Sequence, residues 1–390
     1  MNSGRLAILP AMATALLAAL CLAFGSLYPQ LNYDVVPYAA LAKEMRGAGG
    51  KERAYRELAS RVGDGRFQLY ISGAYRERMY RDDDFFQRNS SLYTIRPVYI
   101  FLCSVLGGLI HSDISATYLI SAVATALAVL LSFVLAGSRG VIDSARWTVP
   151  VTWIAAGALN LAGLSTPDAL ETFLSLLFVW VAIRGPWQGR RTAGLLSIAV
   201  LMVGARTDAL LLVSFLMLAE FALEPRHRRV ASVVFLAALS TYLIIQRVSG
   251  NYGYIAVLNF QLIEDRAHTV MPNLALDVHG YLLALARGIG QILGKDFQAA
   301  LFSVCMSLLA FVALRGRRLS ARKAADGLDH RAQILAVGLL GYLAVRFALF
   351  PSPCARYMMN AYVLAGILFA RAIWPTATTL VARGAQSRAP

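Results

Sequence analysis

Long apolar segments separated by short charged connectors dominate the hydrophobic pattern of the chain. Several of these segments reach the ~17–25 residues that an α-helix needs to cross a bilayer. Regular alternation at a period of two residues is absent, so helices are expected rather than strands. The pattern predicts spans near residues 6–27, 115–136, 149–164, 169–183, 192–204, 209–222, 230–245, 297–314, 332–349 and 357–373. We therefore expect an all-α integral membrane protein with about ten transmembrane helices.

The arginines indicate how these helices are oriented. Three short connectors, at residues 184–191, 226–229 and 315–331, are rich in arginine, which is typical of cytoplasmic loops. The connector at 138–146 falls on the same side only if the 14-residue apolar segment at 97–110 does not cross the membrane. This interpretation gives ten spans with both ends in the cytoplasm, and a crossing segment would give eleven.

The predicted topology divides the chain into four parts. The first helix (1–27) is followed by an extracytoplasmic loop (28–114), a multi-span domain (115–375) and a cytoplasmic tail (376–390). A second outer loop at 247–296 interrupts the multi-span domain, and we expect its piece 276–293 to be a surface helix.

The first extracytoplasmic loop mixes charged and aromatic residues over the length of a small folded unit. Its pieces 38–46 and 52–61 have the pattern of short amphipathic helices. The glycine-rich stretch 47–50 separates them. The loop is therefore predicted to carry interfacial helices rather than to be an extended connector.

Composition supports the membrane class and excludes others. Hydrophobic residues make up 58% of the chain, above the roughly 45–50% of soluble domains, and the mean hydropathy is +0.57. The net charge of +15 comes from arginines at the ends of apolar segments, which favours membrane topology over nucleic acid as a partner. Four cysteines without CxxC spacing and five scattered histidines predict neither a disulfide framework nor a zinc site.

Charged side chains at membrane depth are costly and usually mark function. Here they gather near span ends on the predicted outer side. A carboxylate there can deprotonate an attacking hydroxyl, while arginines neutralise a leaving phosphate. The candidates are Asp34, Asp168, Asp208, Arg206, Arg346 and Arg356.

Each candidate also has a purely structural interpretation, and for Asp34 it is that of a solvated acid at the membrane interface. Asp168 follows a proline at a predicted helix start, where an acid is favoured by the helix dipole. Asp208 can form a local ion pair with Arg206, and Arg356 can extend along the interface with its guanidinium in water. Arg346 lies inside an apolar segment, where pairing with one of the aspartates would explain it.

Five short motifs, in this order and on one predicted face, resemble the GT-C superfamily of polytopic glycosyltransferases. They are Asp34-Val-Val-Pro-Tyr38, Ile95-Arg96-Pro97-Val-Tyr99, Thr166-Pro167-Asp168, Ala205-Arg206-Thr-Asp208 and Ala355-Arg356-Tyr357. Each motif is short, and the resemblance extends over most of residues 1–375. It departs from many relatives at residue 35, because Val35 stands where they have a second acid beside Asp34.

The resemblance implies a GT-C-like bundle and an inverting transfer of one sugar from a polyprenyl-phosphate donor. The acceptor would be a hydroxyl on a glycan, lipid or protein at the periplasmic face of the inner membrane. Asp34 would be the general base and Arg356 a ligand of the lipid phosphate. The remaining expected binding residues are Arg346, Arg206, Asp168, Asp208, Tyr38, Arg96 and Tyr357. No cofactor is assigned, and a divalent cation is the one candidate.

Two other functions fit parts of the pattern. A lipid-linked glycan flippase or transporter is the non-enzymatic alternative, although the repeat halves common in transporters are not visible. An O-antigen ligase or polymerase would also use a lipid phosphate. In those enzymes the large outer loop comes late in the chain, whereas in this chain the largest loop comes first.

Overall fold

The computed structural model describes residues 3–137, 146–184, 187–263, 275–291, 294, 327–351 and 358–368. Within these ranges the regular structure is entirely helical. In these ranges the β-type pairing is limited to one isolated bridge, between Gln30 and Leu164. The predicted span at 297–314 lies outside the described residues.

The helices follow one another with short connections. The first eight are α1 (Ser3–Leu27), α2 (Val35–Glu44), α3 (Lys51–Val62), α4 (Asp64–Ile71), α5 (Ala74–Arg81), α6 (Asp83–Thr94), α7 (Pro97–Ile110) and α8 (Asp113–Ala136). The next six are α9 (Thr148–Ala156), α10 (Ala158–Gly163), α11 (Asp168–Ile183), α12 (Arg190–Ala205), α13 (Ala209–Leu223) and α14 (Arg228–Ser249). The last four are α15 (Tyr254–Leu258), α16 (Val278–Gln291), α17 (Gly327–Leu349) and α18 (Met358–Leu368).

Three of the described helices are long and apolar enough to cross a membrane. They are Ile8–Leu27, Asp113–Ala136 and Pro225–Ser249, and a fourth span results if α6 and α7 are counted together. Because these helices have the length and composition of membrane spans, the chain is a helical membrane protein. The total of about ten spans stays a prediction.

The apolar segment at 149–164 was predicted to be one membrane span, but it forms two short helices, α9 and α10. Gly157 has φ 85° and separates α9 from α10. A glycine in this left-handed conformation commonly ends a helix, because it has no side chain to clash with the preceding turn. The expectation of a single helix there was wrong.

The segment at 97–110 forms the separate 14-residue helix α7, which is bent by 106° from α6. Arg96 lies at the bend with φ −124° and ψ 56°. The residue before a proline avoids the helical region, so Pro97 accounts for the break at this point. Arg96 thus lies at the junction of the two helices, and its guanidinium reaches back to the carbonyl of Leu92 on α6.

The first loop is a packed helical unit. Helices are present at both predicted positions, 38–46 and 52–61, as α2 and α3, whereas α4, α5 and α6 were not predicted individually. Helix α3 buries one face, but most of α2 is buried, so α2 is not the amphipathic helix that was predicted. The surface helix predicted at 276–293 is confirmed as α16. The loop has an apolar core made of Val35, Val36, Ala39, Ala40, Ala54, Tyr55, Leu58, Met79, Phe85, Phe86 and Ile114.

An ionic cluster attaches this unit to the start of α8. Asp113 is buried and accepts hydrogen bonds from Lys43 Nζ at 2.8 Å and from Arg46 Nη2 at 2.7 Å. Lys43 also pairs with Glu57 at 2.8 Å. Burial lowers the pKa of Lys43, but its bonds to Asp113 and Glu57 outweigh burial and raise that pKa above its ordinary value.

The helices of the bundle pack closely on one another. Helix α8 contacts α1, α7, α10 and α11, while α13 contacts α14 and α17. Small residues allow the close contacts: a Cβ added at Gly25 would overlap the carbonyl of Ala162, and one at Gly338 would overlap that of Phe215.

Replacing Asp113 by alanine should destabilise the protein by about 3 kcal/mol, because Lys43 and Arg46 would lose a buried partner. The free energy of unfolding in detergent is the measurement. Asp83→Ala is the matched control, since Asp83 pairs with Lys51 but is 82% exposed, and should cost less than about 1 kcal/mol. Equal losses in the two variants would contradict the proposed attachment.

Candidate functional site

Arg206 is the centre of a buried charge cluster. It ends α12 in an extended conformation, and Asp208 two residues later precedes α13. The turn between the two helices therefore places both side chains at the same end of the bundle. Only 6% of the Arg206 side chain is exposed.

Three carboxylates surround this guanidinium. Nη1 of Arg206 donates to Asp168, and Nε lies 3.2 Å from Glu171 Oε2. Asp208 accepts from Nε at 2.9 Å and from Nη2 at 2.6 Å, which is a bidentate pairing. Each of the three nitrogens of the guanidinium group thus has a carboxylate partner.

The cluster connects helices that are distant in the sequence. Asp168 and Glu171 lie on the first turn of α11, and Asp208 precedes α13. Arg346 on α17 donates to Asp208 Oδ2 at 3.1 Å, and Asn360 on α18 donates to Glu171 Oε1 at 3.0 Å. Asp208 therefore forms the local ion pair with Arg206 that its structural interpretation predicted, and Arg346 is paired with an aspartate.

Glu171 and Asn360 were missed by the sequence analysis. A signal for Glu171 was present, because it is a carboxylate inside an apolar segment three residues after Asp168. Residues three apart on a helix share a face, so the two acids could have been predicted to point to one partner. Asn360 carries no charge and had no comparable signal.

Asp34 lies in a second polar group, at the start of α2. Tyr93 Oη donates to Asp34 Oδ1 at 3.1 Å, and Asn32 Nδ2 donates to Oδ2 at 3.1 Å. The neighbouring Tyr33 is hydrogen-bonded to Tyr55 at 2.8 Å. Burial and the contact with Tyr55 raise the pKa of Tyr33 above its ordinary value.

Two tyrosine rings stand between Asp34 and the charge cluster. Tyr38 and Tyr93 meet edge to face with centroids 5.2 Å apart. Arg96 lies over both rings, at 5.6 Å from the centroid of Tyr38 and 5.9 Å from that of Tyr93, and donates to Tyr38 Oη. Arg96 lies within electrostatic range of the acids Asp34 and Asp208 and of the like-charged Arg206. The two polar groups are therefore neighbours across an aromatic partition.

A cavity of about 370 Å³ opens beside this partition. Its polar part contains Arg96, Arg206, Asp208 and Arg346, and its apolar part continues along α13. The complete lining is Ile95, Arg96, Arg206, Thr207, Asp208, Leu210, Leu211, Ser214, Tyr242, Gln246, Asn251, Gly253, Tyr254, Val257, Arg346, Leu349 and Phe350. The volume lies within the ~300–1,000 Å³ typical of ligand sites.

Two of the cavity's arginines have hydrogen-bonding capacity to spare. Arg96 donates to Tyr38 Oη and, at 3.4 Å, to the carbonyl of Leu92, and it forms no ion pair within the described part of the chain. Arg346 is buried, and its Nε has no hydrogen-bond partner there. These donors can hold an anion, whereas Arg206 is already engaged by three carboxylates.

The structure brings most of the predicted site residues into one region. Arg96, Arg206, Asp208 and Arg346 line the cavity. Tyr38 and Asp168 do not line the cavity but are bonded to the lining residues Arg96 and Arg206. Asp34 is bonded to Tyr93, which packs on Tyr38. Arg356 and Tyr357 lie outside the described residues.

No metal centre is visible in the described ranges, where no group of three or more His, Cys, Asp or Glu side chains is arranged to hold an ion. The three clustered acids, Asp168, Glu171 and Asp208, are compensated by arginine. The cluster therefore acts as an ion-pair network rather than as a set of free ligands.

Comparison with known proteins gives no family: no family model matches the chain, and no curated protein or solved structure matches it. The class of the chain, a helical membrane protein with a polar cavity, therefore follows from its own helices and side chains.

Arg206→Lys should destabilise the protein by about 3 kcal/mol, because one ammonium cannot bridge three carboxylates, two of them buried, as the planar guanidinium does. The free energy of unfolding in detergent measures this loss. Arg190→Lys, the same exchange at an exposed position of α12, should change it by less than about 0.5 kcal/mol. A stable Arg206→Lys protein would show that the network does not hold the helices together.

Proposed function

We propose that the chain is an inverting glycosyltransferase that moves one sugar from a polyprenyl-phosphate donor to an acceptor hydroxyl. The observation that carries the proposal is the cavity, in which guanidinium donors and an apolar wall meet. A lipid phosphate has two complementary features: an anionic group that can bind the guanidinium donors, and a long apolar chain that can pack against the apolar wall. Bidentate contacts to phosphate oxygens are a common role of arginine.

The phosphate would bind Arg96 and Arg346, which have donors to spare. The first isoprene units would lie against Leu210 and Leu211 on α13, both of which line the cavity. As the reaction proceeds, negative charge increases on the departing phosphate. The same arginines would then stabilise the transition state more than the bound donor.

Asp34 is the proposed general base. It would accept the proton of the acceptor hydroxyl while that oxygen forms a bond to the anomeric carbon. The bond between that carbon and the phosphate oxygen breaks, and its electron pair leaves with polyprenyl phosphate. Tyr93 and Asn32 would orient the carboxylate through their hydrogen bonds. The rings of Tyr38 and Tyr93 would have to move aside, so that a sugar attached to a phosphate at Arg96 reaches Asp34.

The proposal includes the GT-C-like arrangement of about ten spans and an active site facing the periplasm at the inner membrane. The packed first loop supports it, because α2 carries Asp34 at one end and is attached to α8 through Lys43 near the other. The base would thus have a fixed position above the bundle. The acceptor can be a glycan, a lipid or a protein.

Asp34→Asn should reduce sugar transfer about 10²–10⁴-fold, because the amide cannot take a proton. The measurement is mass spectrometry of lipid-linked sugars in a strain from which the gene is deleted. The polyprenyl-phosphate sugar should accumulate in that strain, and the wild-type gene but not the Asp34→Asn gene should remove it.

Asp64→Asn, the same exchange at an exposed position of α4, is the matched control and should complement the deletion fully. Full complementation by Asp34→Asn would remove Asp34 from the mechanism. Transport of a labelled lipid-linked sugar across liposomes without any acceptor would favour the flippase alternative.

A further inference from the structure

The turn between α14 and α15 forms a polar wall of the cavity. Gly250 ends α14 with φ 60°, and Gly253 precedes α15 with φ 88°. Both values lie in the left-handed region that favours glycine, so the turn has a defined shape. Asn251 lies between the two glycines and lines the cavity, as do Gln246 and Tyr254 on either side.

The side-chain oxygen of Asn251 is buried and has no hydrogen-bond partner in the described part of the chain. A buried acceptor without a donor is unfavourable, and such groups in native proteins usually await a ligand or a water. Nε of Arg346 is likewise buried and unpartnered at the same cavity. One unpartnered acceptor and one unpartnered cationic donor thus belong to side chains that line the same cavity, and a small rotation of either side chain would bring its atom to a ligand.

The Asn251 turn lies beside the segment that carries Arg96. The hydroxyl of Thr94 contacts the carbonyl of Ser249 at 3.5 Å, which joins the end of α6 to the end of α14. Arg96 comes two residues after Thr94, and Asn251 comes two residues after Ser249. A group attached to an anion at Arg96 and Arg346 would therefore extend over this turn.

We propose that Asn251 accepts a hydrogen bond from a hydroxyl of the donor sugar and so contributes to sugar specificity. This inference rests on the proposed function and adds to it the residue that recognises the sugar. A hydroxyl next to a phosphate satisfies both unpartnered groups at once. The cavity volume of about 370 Å³ fits a single sugar phosphate better than an oligosaccharide.

The test measures dissociation constants in nanodiscs for two kinds of probe. One is farnesyl phosphate alone, and the other is a panel of farnesyl phosphates bearing glucose, galactose, mannose or arabinose. The wild-type protein should bind at least one glycoside about tenfold more tightly than the bare phosphate, as expected for one added hydrogen bond. Asn251→Ala should remove this gain and leave binding of the bare phosphate within about twofold.

Two further variants define the controls. Asn160→Ala makes the same exchange at an exposed position of α10 and should keep the gain. Arg346→Leu should weaken binding of the bare phosphate and of the glycosides by the same factor, because it removes a phosphate contact. Retained binding of the bare phosphate by Asn251→Ala also shows that this variant is folded.

The outcomes separate the two proposals. If no glycoside binds more tightly than bare farnesyl phosphate, or if Asn251→Ala weakens both kinds of probe alike, the role of Asn251 is wrong. The proposed function would still stand, provided that bare farnesyl phosphate binds and that binding depends on Arg346. If the wild-type protein binds none of the probes, both proposals are wrong.

Discussion

The pairing of one buried arginine with three carboxylates is the constraint on which the rest of the structure depends. Arg206 cannot lose its charge, and Asp168, Glu171 and Asp208 approach it from the starts of two different helices. Removing one partner from such a network leaves buried charge uncompensated, which typically costs about 3–5 kcal/mol. The network therefore fixes where α11, α12 and α13 meet. Through Arg346 and Asn360 it also reaches α17 and α18, and the cavity opens at this junction.

The same constraint divides the arginines by role. Because Arg206 is engaged by carboxylates, it positions the helices, and the donors that remain for a ligand belong to Arg96 and Arg346. The rings of Tyr38 and Tyr93 then lie between Arg96 and Asp34, and Tyr93 is hydrogen-bonded to that acid. An acid on one side and spare guanidinium groups on the other suit a reaction in which a proton and a phosphate leave in different directions.

The sequence predicted the helical class, two helices of the first loop and most of the charged residues at the site, since each has a local signal. Apolar length marks α8, the glycines at 47–50 mark the break between α2 and α3, and charge within apolar surroundings marks Arg346. What could not be predicted depends on tertiary contacts. The sequence could not show that Arg206 binds three acids, that Asn360 supports Glu171, or that Asn251 lines the cavity. The break at Gly157 was also missed, because an isolated glycine in an apolar segment does not by itself reveal a left-handed conformation.

The central claim is that the cavity beside Arg206 receives a lipid phosphate, and photo-crosslinking tests it most directly. Farnesyl phosphate with a diazirine on its isoprenoid chain would be irradiated with the protein in nanodiscs, and labelled peptides would be mapped by mass spectrometry. We expect adducts on α13 around Leu210 and Leu211, near the α14–α15 turn, and their loss when unlabelled farnesyl phosphate competes. Adducts confined to the exposed face of α1, around Ile8 and Met12, and insensitive to competition would contradict the claim.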